Sequence, residues 1–137
     1  MQKNTGKWLK YIMMAFAGCL LILLCSAIQE TALPQKGEYY YSGSLRNNYT
    51  VLCASLFFIL GIGIGYFFRL HPWLSGLSLV LVFPLVSLYE AAVHRGSHNL
   101  IPFELVVFFL FALPGVAGVY LGKYIAHRRK ESKQVTK

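Results

Sequence analysis

Four long apolar stretches fill most of this 137-residue chain. An α-helix rises ~1.5 Å per residue, so roughly 20 apolar residues are needed to cross a hydrocarbon core of ~30 Å. Each stretch has about that length, which predicts an all-α, integral membrane four-helix transmembrane bundle made of two antiparallel helical hairpins. The four predicted helices cover residues 8–28, 51–69, 73–94 and 100–126.

The connections between these helices are too short to fold on their own, which predicts a single transmembrane domain over residues 1–137. The longest is a predicted outer loop at 29–50, and a basic tail at 127–137 follows the last helix. A retained first helix is favoured over a cleaved signal peptide, because the run 8–28 exceeds the ~7–15 apolar residues of a signal core. Composition agrees with a membrane protein, since only 13% of residues are charged, against about a quarter in soluble domains.

Lysines and arginines are distributed unevenly around the predicted helices. If the N-terminus is cytoplasmic, ten of them lie on the inner side and three on the outer side. This bias predicts a multi-pass protein of the cell inner membrane with both termini cytoplasmic. The net charge of +8 is therefore interpreted as a topology signal, with no nucleic-acid partner. The tail residues Arg128, Arg129 and Lys130 are predicted to contact anionic lipid headgroups.

Small residues and prolines mark the predicted packing and bending points. Pro84 and Pro114 lack an amide hydrogen, so each is predicted to bend its helix, either for shape alone, as favoured, or to form a cavity. Glycines on the second and fourth helices leave room for a neighbouring backbone, in this chain, in a second copy or in another membrane protein. These glycines are Gly61, Gly65, Gly115, Gly118 and Gly122.

Three cysteines show neither a CxxC pair nor metal-ligand spacing, so each is interpreted as a small apolar residue within a helix. Cys25 and Cys53 are predicted near the outer ends of the first and second helices. If both lie at similar depth on the oxidising side of the membrane, they could form a disulfide, which is the alternative interpretation.

The most informative polar group surrounds the connection between the third and fourth helices. It concentrates Glu90, His94, His98 and Glu104 near the outer interface, where charge is costly. Two carboxylates and two imidazoles could bind a divalent metal, relay a proton, or provide an acid and a base. Salt bridging and capping are favoured, because Glu104 falls in the first turn of its helix and Arg95 could neutralise either carboxylate. No metal-site signature is present, and no cofactor is strongly implied.

The sequence matches no template of an established enzyme class, since it has no nucleophile elbow, HExxH, paired CxxC or nucleotide fingerprint. The leading hypothesis is a small polytopic membrane protein that acts non-enzymatically as an accessory or interaction subunit, with an outer-facing Glu/His cluster. The first alternative is a small transporter or a protein that handles protons or divalent metals. A membrane enzyme that modifies lipid headgroups ranks below both.

Overall fold

The computed structural model describes residues 5–29, 40–68, 70–93 and 101–135. Within these ranges all regular secondary structure is helical, with six helices and no strand, so the predicted all-α class is confirmed. The helices are α1 (Thr5–Gln29), α2 (Tyr40–Asn48), α3 (Val51–Phe67), α4 (Pro72–Leu79), α5 (Val82–Val93) and α6 (Ile101–Val135).

Two of the described helices are long and apolar enough to cross a membrane. The qualifying segments are Gly6–Gln29 in α1 and Phe103–Arg129 in α6. Two further pairs pass the same test only as bent units, α2 with α3 at 78° and α4 with α5 at 51°. The structure therefore has two candidate spans, or four if each bent pair is one span, and the four-helix bundle stays a prediction.

The segment 29–50, predicted as an outer loop, contains the helix α2. Its nine residues carry few apolar side chains. Tyr49 and Thr50 then make the turn into α3, and the Tyr49 amide donates to the Arg46 carbonyl at 3.0 Å. Because this local sequence favours a helix so weakly, the stability of α2 has to come from other parts of the chain.

The third predicted helix is divided into α4 and α5 by a break at Val80 and Leu81. Pro84 accounts for the position, because its ring crowds the carbonyl four residues earlier and it has no N–H to donate there. The Val80 carbonyl instead accepts the Phe83 amide at 3.1 Å. The 51° bend thus lies one turn before Pro84, whereas α6 continues as one helix through Pro114.

The backbones of α3 and α6 lie in direct contact along a set of glycines, here called the glycine interface. A Cβ added at Gly61 or Gly65 of α3 would overlap a carbonyl oxygen of α6. A Cβ added at Gly118 or Gly122 of α6 would likewise overlap a carbonyl oxygen of α3. Gly115 supplies the carbonyl that lies against Gly61. These glycine faces are therefore covered within the chain and do not form an open surface for a second copy.

Candidate functional site

Two buried carboxylates lie at one end of the molecule, where α2 meets α5 and α6. Glu90 is 2% exposed near the end of α5, and Glu104 is 6% exposed in the first turn of α6. A buried carboxylate is unfavourable unless its oxygens accept hydrogen bonds or pair with a cation. The partners of each glutamate therefore indicate what it does.

Glu90 caps the N-terminus of α2. Its Oε1 accepts the backbone amide of Tyr41 at 2.6 Å, and its Oε2 accepts the amide of Ser42 at 3.2 Å. Both amides belong to the first turn of α2, where N–H groups have no acceptor within the helix. The positive end of the helix dipole also favours an anion at this position. A side chain from α5 thus supplies the cap that the sequence next to α2 lacks.

Glu104 joins three helices. Its Oε1 pairs with Nη2 of Arg46 at 3.3 Å, and its Oε2 accepts the hydroxyl of Ser87. Arg46 lies in the last turn of α2, and Ser87 lies on α5 one turn before Glu90. Since the Arg46 side chain is 36% exposed, water screens this ion pair and weakens it relative to a fully buried one.

Together the two carboxylates hold both ends of α2, and we call this region the polar end of the molecule. Glu90 binds the first turn, Glu104 binds Arg46 in the last turn, and Gln29 of α1 donates to the Asn48 carbonyl at 3.5 Å. All four carboxylate oxygens accept a hydrogen bond from the described residues. A metal ion or a transferable proton would have to compete with these donors.

The imidazole half of the predicted cluster, His94 and His98, lies outside the described residues, as does Arg95. In the part of the chain that the structure describes, no group of three or more His, Cys, Asp or Glu side chains is arranged to hold a metal ion. Metal binding by Glu90, Glu104 and the two histidines therefore stays a hypothesis. Among the described residues, the cation that pairs with Glu104 is Arg46.

An aromatic cluster connects the polar end to the apolar interior. Tyr49 stacks on Phe111 with ring centroids 4.1 Å apart, and its ring lies 5.7 Å from the rings of both Phe57 and Phe83. The Tyr49 hydroxyl donates to the Phe111 carbonyl at 2.6 Å. That carbonyl lies three residues before Pro114, next to the Leu110 carbonyl, which has no helical donor because proline lacks an N–H. Tyr49 thus fixes the corner between α2 and α3 against α6.

Sequence reasoning missed Arg46 and Tyr49 as members of this site. Both lie in the segment that was predicted as a loop, and their partners are about sixty residues away in sequence. One signal was present for Arg46, because it is one of only three basic residues on the predicted outer side. An isolated cation at that position requires an acidic partner if it is to be partly buried.

The opposite end of the molecule, here called the basic end, gathers cations against aromatic rings. Arg129 of α6 donates to the hydroxyl of Tyr66 on α3, and Nζ of Lys10 on α1 lies 5.5 Å from the centre of the Phe68 ring. The beginning of α1 and the later part of α6 therefore meet at the end of α3. The Lys130 side chain lies outside the described residues.

Cys25 lies on α1 and Cys53 lies on α3, and both side chains are fully buried. Their thiols are free and interact with each other. The structure thus places the two predicted neighbours together without a disulfide between them.

No family model, curated protein or solved structure matches this chain. The function is therefore inferred from the geometry of the site itself.

Proposed function

We propose that this protein is a small multi-pass inner-membrane protein that acts without catalysis as an accessory or interaction subunit. Both termini are cytoplasmic in this proposal, as the positive-inside distribution favours. The polar end then faces the outer compartment and presents α2 there. The observation that carries the proposal is the capping of α2 by the carboxylate of Glu90.

The hydrogen bonds of the two glutamates support a fixed role for them. A carboxylate that relays protons or carries ions has to exchange partners during each cycle. Glu90 and Glu104 instead bind two backbone amides, a guanidinium and a hydroxyl, all belonging to α2 or α5. Two buried carboxylates, which are costly to desolvate, thus hold one short polar helix in place. This arrangement suits a docking element better than a path for protons or ions.

The surface of α2 has a composition suited to a protein contact. Tyr41 is 57% exposed and Asn47 is also exposed. Tyrosine combines a large apolar ring with a hydroxyl, and it is enriched where proteins bind one another. A partner that lies on α2 would bury this ring and form hydrogen bonds with the polar groups around it.

The basic end supplies the second contact of the proposed subunit, with anionic lipid headgroups. Arg128, Arg129 and Lys130 follow the apolar part of α6 and continue the same helix. The Arg128 guanidinium lies 5.4 Å from the centre of the Tyr124 ring, and its Nε donates to the Tyr124 hydroxyl at 2.9 Å. Each cation close to an anionic membrane surface contributes about 1 kcal/mol of attraction.

Site-specific photocrosslinking in native membranes tests the proposed partner contact. A photoreactive side chain at Asn47 on α2 should crosslink to one protein of defined mass. The same group at Leu88, an exposed apolar position on α5, serves as the control and should crosslink to lipid. The proposal fails if position 47 yields no protein adduct while the purified protein in liposomes conducts protons or divalent ions and loses this flux in Glu90→Gln.

Cysteine accessibility tests the proposed orientation separately. In a background with Cys19, Cys25 and Cys53 replaced by serine, single cysteines are introduced at Asn47 and at Arg128. A membrane-impermeant maleimide should label position 47 in intact cells and position 128 only after the membrane is permeabilised. The reverse pattern would place α2 in the cytoplasm and remove the outer-facing role.

A further inference from the structure

An apolar groove follows one face of α1 at the basic end of the molecule. Its wall on α1 includes Trp8, Tyr11, Ala15 and Cys19, which recur at helical spacing, and its volume is about 420 Å³. That volume lies within the ~300–1,000 Å³ range of ligand sites in proteins. The groove opens toward the surroundings of the molecule, in a region where, apart from Lys7 and Lys10, the exposed side chains of α1 are mostly apolar.

The bend between α4 and α5 forms the other wall. Ser78 precedes the break, Leu81 lies within it and Leu85 follows it, and all three line the groove. On the next face of α1, Gly18 lies directly against the Leu79 backbone. The two helices are in close contact at Gly18. Next to this contact the chain changes direction by 51°, which separates the two walls and leaves the groove between them.

The length of the groove indicates its occupant. From Trp8 to Cys19 the axis of α1 advances about 16 Å at ~1.5 Å per residue, which matches one leaflet of a ~30 Å hydrocarbon core. Exposed apolar side chains of α1 continue to Ile28, but the groove ends at Cys19, whereas a transmembrane helix of a partner or of a second copy would need a groove across both leaflets. A groove of single-leaflet length fits one acyl chain of a phospholipid.

The charge at the mouth indicates the headgroup. Lys7 is exposed and lies one helical turn before Tyr11, so the two side chains are neighbours on the surface of α1. Trp8 and Tyr11 pack edge to face at the same level, with ring centroids 6.2 Å apart, and such rings favour the headgroup region. A cation beside an interfacial aromatic pair attracts a negatively charged phosphodiester.

We propose that the groove between α1 and the α4–α5 bend binds one acyl chain of an anionic phospholipid, with its headgroup beside Lys7. This site is distinct from the contact of the α6 tail with the membrane surface, and it does not depend on a partner at α2. The lipid would fill an apolar surface that side chains of this molecule leave open.

Fluorescence quenching by brominated lipids tests this proposal directly. The chain has two tryptophans, and Trp73→Phe leaves Trp8 as the reporter while preserving a ring that can stack on Phe109. The protein is placed in vesicles of equal parts phosphatidylglycerol and phosphatidylcholine, with bromine on the acyl chains of one lipid at a time. Trp8 should be quenched several-fold more strongly when the phosphatidylglycerol carries the bromine, and equal quenching by both lipids overturns the proposal.

A second reporter separates the groove from the general attraction of a basic surface. Tyr124→Trp, in a chain with Trp8→Phe and Trp73→Phe, places the fluorophore at the same end but outside the groove. Because Arg128 lies beside this ring, the reporter measures the general attraction of the basic end, and its preference for phosphatidylglycerol should be weaker than that of Trp8. An equal preference at positions 8 and 124 would assign the effect to the basic end as a whole and overturn the groove site.

Paired variants test the two halves of the lipid site, with circular dichroism and size-exclusion elution confirming that each variant folds. Ala15→Phe fills the groove and should abolish the preference at Trp8, whereas Ala27→Phe, an exposed position nearer the other end of α1, should keep it. Lys7→Gln should lower the affinity for phosphatidylglycerol roughly fivefold, the equivalent of one surface charge, and so remove most of the preference, while Lys123→Gln should not. An unchanged preference in Ala15→Phe, or a lipid-free dimer in native mass spectrometry, contradicts the proposal.

Discussion

The glycine interface and the polar end join distant parts of the chain in opposite ways. At the glycine interface, α3 and α6 meet because side chains are missing, and the contact is between backbones. At the polar end, α2 is held because particular side chains are present, and the contact is made by Glu90 and Glu104. Adding one carbon should break the first contact, whereas removing one carboxylate should break the second.

This difference follows from the surroundings that each contact requires. Apolar side chains and lipid chains are equally apolar, so two helices within a membrane gain most from close packing. A short polar helix gains little from burial and depends on partners for the free N–H groups at its beginning. The following predictions test this contrast, from the largest expected change in the free energy of unfolding to the smallest.

The largest effect is expected at the glycine interface. Gly61→Ala should lower the free energy of unfolding by about 3 kcal/mol, because the new methyl group overlaps a carbonyl oxygen of α6 and a backbone cannot easily move away. Gly63→Ala on the same helix is the matched control, since no atom lies within 4 Å of a Cβ there. Reversible unfolding in mixed detergent micelles measures both variants, and equal losses would show that the helix approach is not set by Gly61.

Removing the carboxylate that joins three helices should have the next largest effect. Glu104→Ala leaves the Arg46 guanidinium and the Ser87 hydroxyl without their acceptor, and it should cost about 2 kcal/mol. A double-mutant cycle with Arg46→Met should assign less than about 1 kcal/mol of this to the ion pair, because Arg46 is partly exposed. A larger coupling energy would mean that the pair is shielded from water.

A smaller, local effect is expected at the N-terminus of α2. Glu90→Gln keeps the shape of the side chain but replaces one acceptor oxygen and the charge, so α2 should lose about 1 kcal/mol of local stability. Hydrogen exchange should become faster at the Tyr41 and Ser42 amides and remain unchanged in α3. Glu131→Gln, at an exposed position of the basic end, is the control and should leave α2 unaffected. Unchanged exchange in Glu90→Gln would remove the capping role.

The smallest effect is expected at Tyr49, which connects the polar end to the apolar interior. Tyr49→Phe removes the hydrogen bond to the Phe111 carbonyl but keeps the stacked rings, so it should cost about 0.6 kcal/mol, the usual value for such bonds in membranes. Tyr120→Phe, at an exposed position of α6, should be neutral. Thermal unfolding followed by circular dichroism compares the two, and a loss of several kcal/mol at Tyr49 would mean that the hydroxyl, and not the ring, fixes this corner.

Much of the architecture could be predicted from the sequence because it depends on local patterns. Long apolar runs identify the positions of α1, α3 and α6 to within a few residues, although α6 continues helically well beyond residue 126. The break in the third predicted helix lies one turn before Pro84, because a proline disturbs the residue four positions earlier. Where the cause of a feature lies within one turn, the sequence alone is informative.

The polar end could be predicted only in part, because its bonds connect segments that are far apart in sequence. Glu90 and Glu104 stand out as charges near an apolar run, and capping was the favoured interpretation for Glu104. The helix over Tyr40–Asn48 could not be foreseen, since its cap comes from a residue 49 positions later. The pairing of Glu104 with Arg46 likewise depends on the fold, and not on spacing.

The apolar part of α6 has charged residues at both of its ends, and in the proposed multi-pass arrangement their separation sets the hydrophobic thickness of the protein. Nineteen residue steps separate Glu104 from Lys123, which amounts to about 28 Å along the helix. Glu104 is fixed by Arg46 and Ser87, so α6 cannot slide to follow a thicker bilayer. Mismatch costs a fraction of a kcal/mol per ångström, so such a helix favours the thinner parts of a heterogeneous membrane. In that arrangement, the length of α6 adds membrane thickness to the properties that decide where the protein resides.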